Sequence, residues 1–292
     1  MSKGIYGGGL RMRSGLWMSD LLFEIPDSPS LREENLALLD SIKENPDLFY
    51  SDTKITHAYG CPIGCKMNGG FCYNNPDETL SEKELDNYFK EYEDRGIGYY
   101  LTFTNYKNTE IDSYTEQILN RCYREGNGVI VAGEFIKSYI ESNYPEFRII
   151  DSVTEIDNNI DSINNKTSNN LQVLKVDYNN NWEVLNSLEN KENIIILVNE
   201  YCIPNCPKKR EHCDAYCDYN LRLTDKIFAC PYDPMTSTKS EEMLAFLQKR
   251  PHYVPRGIIH QYQEIGINHF KIQGRSYNCY MALQAYEEYF KK

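Results

Sequence analysis

Half of the chain's ten cysteines fall in one stretch, NIIILVNEYCIPNCPKKREHCDAYCDYNLRLTDKIFAC, as Cys202, Cys206, Cys213, Cys217 and Cys230. Thiolates are soft ligands, and paired thiolates on a loop can fold around one metal. The spacing gives two C-x-x-x-C pairs, Cys202/Cys206 and Cys213/Cys217, with Cys230 further on. Four thiolates suit tetrahedral zinc and an iron–sulfur cluster alike. The gap between the pairs is short for a zinc ribbon and the run is not that of a ferredoxin. Spacing therefore leaves cluster, zinc and metal-free thiols open, with all five cysteines as candidate ligands.

A second group, Cys61, Cys65 and Cys72 in CPIGCKMNGGFC, offers a further ligand, while Asn68-Gly69-Gly70 within it predicts a tight turn over the site. Cys122 and Cys279 read as packing residues, Cys279 with a spare-ligand position. A cysteine nucleophile would need a base such as His57 or His212, yet no motif joins either to a thiol. His57 reads as a satisfied core residue, and His252, His260 and His269 as surface or helix positions. No P-loop or dinucleotide-binding glycine motif occurs.

Alternation supplies the other candidates. In HFKIQGR, Phe270 and Ile272 share one strand face while Lys271, Gln273 and Arg275 share the other. Lys175 pairs with Asp177 and Thr102 with Thr104 in the same way. Lys271 and Arg275 suit an anionic group, and Asp177 or Glu200 suits substrate orientation or proton transfer. Buried together, such groups must pair with each other or with a ligand.

Positioning them requires a scaffold. Apolar runs recur at Ile55–Tyr59, Gly98–Thr104, Val129–Ala132, Phe147–Ile150, Leu171–Val176, Ile194–Val198, Ile227–Ala229 and Phe270–Ile272. Amphipathic segments separate most of them: 81–94, 111–125, 134–143, 181–188, 240–248 and 255–264, with a closing helix over 277–290. Strand–helix units in this number predict an α/β fold, a single (β/α)8 TIM-barrel-like domain, over an open doubly wound sheet. We divide the chain into a disordered tail (1–17), an N-terminal helical extension (18–54, with a helix over 31–43) and the barrel (55–292). Sites in such barrels form at the strands' carboxyl ends, where Cys61, Asn105, Asp151, Asp177, Asn199, Glu200, Cys230 and Arg275 converge.

At 292 residues the chain can bury a large core, and no apolar run is long enough to span a bilayer. Without an apolar leader the sequence points to the cytoplasm, where thiols stay reduced. A net charge of −12 disfavours broad nucleic-acid or membrane binding. The basic run Lys208–Arg210 reads as a solvated loop inside the cysteine segment.

HFKIQGRSYNCY resembles the collagenase-like peptidases, peptidase family U32, whose signature near the last strand reads approximately F-K-I-E-G-R. Phe270, Lys271, Ile272, Gly274 and Arg275 match, and Gln273 stands in place of the glutamate. The lead-in Glu264-Ile265-Gly266-Ile267 and the segment NEYCIPNCPKKREHC are similar to the family's own, and the resemblance covers about residues 55–280. It implies a barrel-like fold and, for several relatives, a 4Fe–4S cluster held by cysteines. The spacing of Cys206, Cys213 and Cys230 is similar to the cluster-binding run of the family's hydroxylation proteins. The fourth ligand of that run falls near Val254-Pro255, so Cys202 or Cys217 would substitute. The resemblance implies an iron–sulfur barrel enzyme of hydroxylation or another redox modification, acting on a small-molecule or protein-linked substrate with an electron-donor protein as partner. The alternatives are a peptidase and a non-catalytic, zinc-stabilised binding barrel.

Overall fold

The structure is a computed structural model that describes all residues except 1–10, 14–15, 19, 74, 76, 155–158, 233–241 and 275–278, with 11–13 and 16–18 described by backbone alone. Strands β1 (Arg11–Arg13) and β2 (Leu16–Met18) form an antiparallel ribbon. The rest of the stretch read as a disordered tail lies outside the described residues.

Eight strands close into a barrel: β3 (Leu21–Pro26), β4 (Thr53–Gly60), β5 (Gly98–Phe103), β6 (Gly128–Val131), β7 (Arg148–Asp151), β8 (Leu171–Val173), β9 (Ile194–Leu197) and β10 (His269–Lys271). Neighbours follow chain order, β10 returns to β3, and every barrel pairing is parallel. Helices alternate with the strands: α1 (Arg32–Glu44), α2 (Glu82–Glu93), α3 (Ser113–Cys122), α4 (Glu134–Asn143), α5 (Ile160–Thr167) and α6 (Trp182–Ser187). After β9 come α7 (Lys209–Asn220), α8 (Met243–Leu247) and α9 (Ile259–Glu264), and α10 (Tyr280–Phe290) follows β10. The (β/α)8 expectation holds. No helix among the described residues is long and apolar enough to cross a membrane.

The first barrel strand is not where the apolar runs placed it. LLFEIP, assigned to an extension before the barrel, is β3, whereas residues 227–229 form no strand. Glu24 interrupts the apolar run of β3 because it faces the lumen, while Phe23 and Ile25 face the helices. Ile227 is about half exposed, so its short run has no sheet face to fill.

Strand alternation sorts the core into two layers. Tyr99, Leu101 and Phe103 of β5 join the large cluster beneath the helices, whereas Tyr100 joins Tyr59, Ile130, Ile150, Leu171, Val173 and Ile195 in a separate inner cluster. Across the β10–β3 seam, Phe23 lies 5.4 Å from Phe270, 5.6 Å from Tyr289 and 5.2 Å from Phe290 between ring centroids. Such aromatic contacts contribute beyond their buried area, and here they anchor α10 over the point of closure. A register shift between Phe23 and Glu24 places Glu24 opposite His57 on β4 and leaves it level with Lys271 on β10.

Candidate functional site

A cavity of about 430 Å³ opens at the carboxyl ends of the barrel strands. Its walls include Tyr59, Thr102, Thr104, Ser152, Lys175, Asp177, Glu200, Lys271 and Gln273, so the residues that alternation placed on inward faces do meet there. Arg275 lies outside the described residues.

The cysteine segment caps this cavity. Its middle, read as loop, is α7, whose strongly polar sequence lacks the apolar stripe of an ordinary barrel helix. Polar contacts hold it across the mouth instead. Asn220 donates from Nδ2 to the carbonyls of Asn68 (2.7 Å) and Phe71 (2.8 Å), and Asn105 donates to that of Cys217 at 3.2 Å. Tyr106 donates to Asp214 at 2.7 Å, and Lys107 pairs with Asp218 at 2.8 Å. The backbone turn falls at 66–67, just before the predicted Asn68-Gly69-Gly70, and that segment borders the cavity: Asn68 Oδ1 accepts from Gly70 N, and Gly69 N donates to Thr104 Oγ1 at 3.2 Å.

Cys202, Cys206, Cys213 and Cys230 all line the cavity. They come from the loop after β9, from α7 and from the segment beyond it. Cys217, on the same helix, is fully buried and is not among the cavity-lining residues. Its thiol and that of Cys72 are each pushed up to about 12, chiefly by burial and secondarily by a neighbouring thiol, Cys213 and Cys217 respectively. Cys61, Cys65 and Cys122 are buried as well. Burial raises the Cys202 thiol strongly, with the Glu200 carboxylate adding to it, and burial raises Cys213 too. Thiols so placed stay protonated at neutral pH unless a cation arrives, because a bound metal favours the thiolate outright.

Four thiols around one cavity match an iron–sulfur cluster or zinc in donor chemistry. Among the described residues, however, no three His, Cys, Asp or Glu side chains are grouped to hold a metal ion. The fit is one of donor type and shared cavity, without preformed coordination.

The acidic candidates anchor the cysteine loop. Asp177 Oδ1 accepts from Asn205 N, and its Oδ2 lies 3.9 Å from Lys175 Nζ. Glu200 Oε1 accepts from Cys202 N at 2.9 Å. His252 donates from Nε2 to the Glu200 carbonyl at 3.0 Å. His252 is thus buried, not on the surface as the sequence suggested. His57 is the satisfied core residue expected: Nε2 meets Gly126 O at 2.9 Å, the ring stacks on Tyr100 at 3.9 Å, and burial lowers its pKa to about 3.

Gln273 Oε1 accepts from Tyr201 N at 3.2 Å and thereby orients the start of the same loop. Lys271 donates to Glu24 at 2.6 Å and sits 3.3 Å from the centre of the Tyr59 ring. Glu24, His252 and Tyr59 were not candidates from sequence. For Glu24 the signal was present, since a charged residue inside an apolar strand run marks a lumen position.

The chain matches no protein-family model and no curated protein. Among solved structures it is similar to the U32 peptidase Mk0906, with 12% identity over 92% of this chain and 97% of that chain and a TM-score of 0.53. An uncharacterized B. cereus protein aligns at 11% identity over 92% of this chain and 66% of that one, with a TM-score of 0.36. The likeness to Mk0906 shows a U32-like barrel fold across nearly the whole of both chains.

Proposed function

We propose that this barrel is a redox-modifying enzyme of hydroxylation type, with a 4Fe–4S cluster on Cys202, Cys206, Cys213 and Cys230 at the mouth of its substrate cavity. The observation that carries this is the presence of those four thiols in the walls of one cavity together with Lys175, Lys209 and Lys271. Such a cluster, when bound, supplies one-electron transfer, and an electron-donor protein would be the partner. Cys217, buried away from the cavity lining, is left out of the ligand set. The lysines would draw an anionic group of a small-molecule or protein-linked substrate into a chain that is otherwise acidic. Glu200 and Asp177, which already hold the cysteine loop, would set substrate orientation from the cavity wall.

Oxygen-free purification with iron, sulfide and zinc counted per chain tests this reading. Near-stoichiometric iron and sulfide, lost in the Cys206→Ser and Cys230→Ser variants but kept in Cys217→Ser, is the expected result. Zinc in place of iron would replace it with the zinc-stabilised binding barrel.

The likeness to the U32 peptidase Mk0906 favours peptide hydrolysis as a second reading. Cleavage of a peptide panel by metal-free protein, abolished by Glu200→Gln, would put it first.

A further inference from the structure

Lys271 and Glu24 are cross-strand neighbours on β10 and β3, and their side chains are 8% and 5% exposed. A buried ion pair of this kind is a poor stabilising device, because desolvating both charges offsets most of their attraction. This one stands at the strands' carboxyl ends, with Lys271 in the cavity wall and the Tyr59 ring against its Nζ. Desolvation in a pocket is one way a lysine is activated as an amine nucleophile toward carbonyl carbons, and here a carboxylate adjoins the amine at hydrogen-bond distance.

We infer that Lys271 is an amine nucleophile that forms a Schiff base with small 2-oxo acids admitted to this cavity, with Glu24 exchanging the protons. The inference rests on the reading of the barrel mouth as the substrate site, and not on the cluster.

The steps balance without an oxidant or reductant. The Lys271 ammonium passes a proton to Glu24, leaving a neutral amine and a neutral acid. The amine lone pair bonds to the carbonyl carbon, and the carbonyl oxygen takes the proton from Glu24, giving a carbinolamine. Glu24 then removes a proton from the nitrogen and returns it to the hydroxyl. The C–O bond breaks, water leaves, and a protonated imine remains on Nζ. Lys209, bonded to the Val153 carbonyl, and Lys175, shared with Asp177 at 3.9 Å, are cations in the same walls that a 2-oxo acid's carboxylate would meet.

The test incubates the full chain with pyruvate and, separately, 2-oxoglutarate in the presence of sodium cyanoborohydride, and maps modified lysines by peptide mass spectrometry. Iron and sulfide are counted in the same preparations. The reduced adduct should form on Lys271 at least about tenfold faster than on any exposed lysine. It should be absent in Lys271→Arg and slowed by about 10²-fold in Glu24→Gln, as the loss of a proton-transfer group predicts. Far-UV circular dichroism and melting curves confirm that both variants are folded.

Folded wild-type protein that gives no adduct at Lys271, or one no faster than on exposed lysines, overturns the inference. Failure in protein with full iron and sulfide leaves the cluster reading standing. An adduct in iron-free protein does the reverse. Unaltered kinetics in Glu24→Gln would remove Glu24 from the proposal.

Discussion

Asn199 and Gln273 clasp each other just beyond the ends of adjacent strands: Gln273 N donates to Asn199 Oδ1 at 2.7 Å, and Asn199 Nδ2 donates to Gln273 O at 3.0 Å. The side chain of one residue thus continues the sheet ladder where β9 and β10 have stopped pairing. Asn199 is fully buried, so nothing else replaces these bonds if they are lost.

Asn199→Ala should therefore cost about 1–3 kcal/mol, the penalty for leaving a buried donor and acceptor unmet. Asn199→Asp keeps the acceptor but sets a buried carboxylate oxygen against the Gln273 carbonyl, and should cost at least as much. Urea denaturation of the three proteins checks the order, and equal midpoints for Ala and wild type would mean that the clasp carries no stability.

Gly69→Ala tests how the loop closes over the mouth. A Cβ at position 69 would stand 2.3 Å from the Thr104 carbonyl oxygen and 2.5 Å from its carbon, both backbone atoms that cannot rotate away. Overpacking of this kind costs about 1–3 kcal/mol, and here it should lift the 61–73 loop off Thr104. A lowered melting temperature together with faster trypsin cleavage after Lys66 is the expected outcome. A substitution without effect on either would show that the loop is not seated on Thr104.

Much of this arrangement was legible before the fold was known. Lys271 and Gln273 reached the cavity because a strand's two-residue period leaves no other choice once Phe270 faces the helices. Asn68-Gly69-Gly70 signalled the close approach to Thr104, though the turn itself falls at 66–67, because amide side-chain bonding and glycine's small volume are local properties. The first strand was misread for the converse reason: the partner that makes Glu24 tolerable, Lys271, lies at the far end of the chain. Residues 227–229 show the same limit, since an apolar triplet becomes a strand only where a neighbouring strand has an edge to offer. Neither α7 nor its place across the mouth could be read from periodicity, because polar bonds to Asn68, Phe71 and Tyr106 hold it. Which thiols share the cavity follows from that placement.

Asp27 at the end of β3 organises a buried polar cluster away from the mouth. Its oxygens accept from Tyr99 at 2.8 Å, Tyr92 at 2.9 Å and Arg32 at 3.0 Å. Arg32 also stacks 3.9 Å over the Tyr88 ring and bonds Glu91, tying α1 to α2. Removing one partner of a buried pair costs about 3–5 kcal/mol, so Asp27→Ala should be among the most damaging single changes in the chain. Thermal unfolding measures it, and a loss within the range of a surface substitution would contradict the assignment of Asp27 as the hub.

Buried His57 on β4 and half-buried His269 on β10 make stability depend on acid in a defined direction. Burial lowers His57 from an ordinary value of 6.5 to about 3 and His269 from 6.5 to about 4. Both groups are neutral in the folded chain and take up protons more readily once it unfolds. Their contribution is therefore complete above about pH 6.5 and is lost as pH falls through the window below it, down to about pH 3 for His57 and about pH 4 for His269. Each can add a slope of up to about 1.4 kcal/mol per pH unit within its window. His57→Gln cannot titrate, so it should be less stable than wild type at pH 7.5, through the loss of stacking on Tyr100, yet show a shallower decline between pH 6 and pH 4. Urea midpoints across that range, for both proteins, read the difference directly. Parallel curves would mean that His57 protonates in place without opening the barrel floor, and would remove it as a source of acid sensitivity.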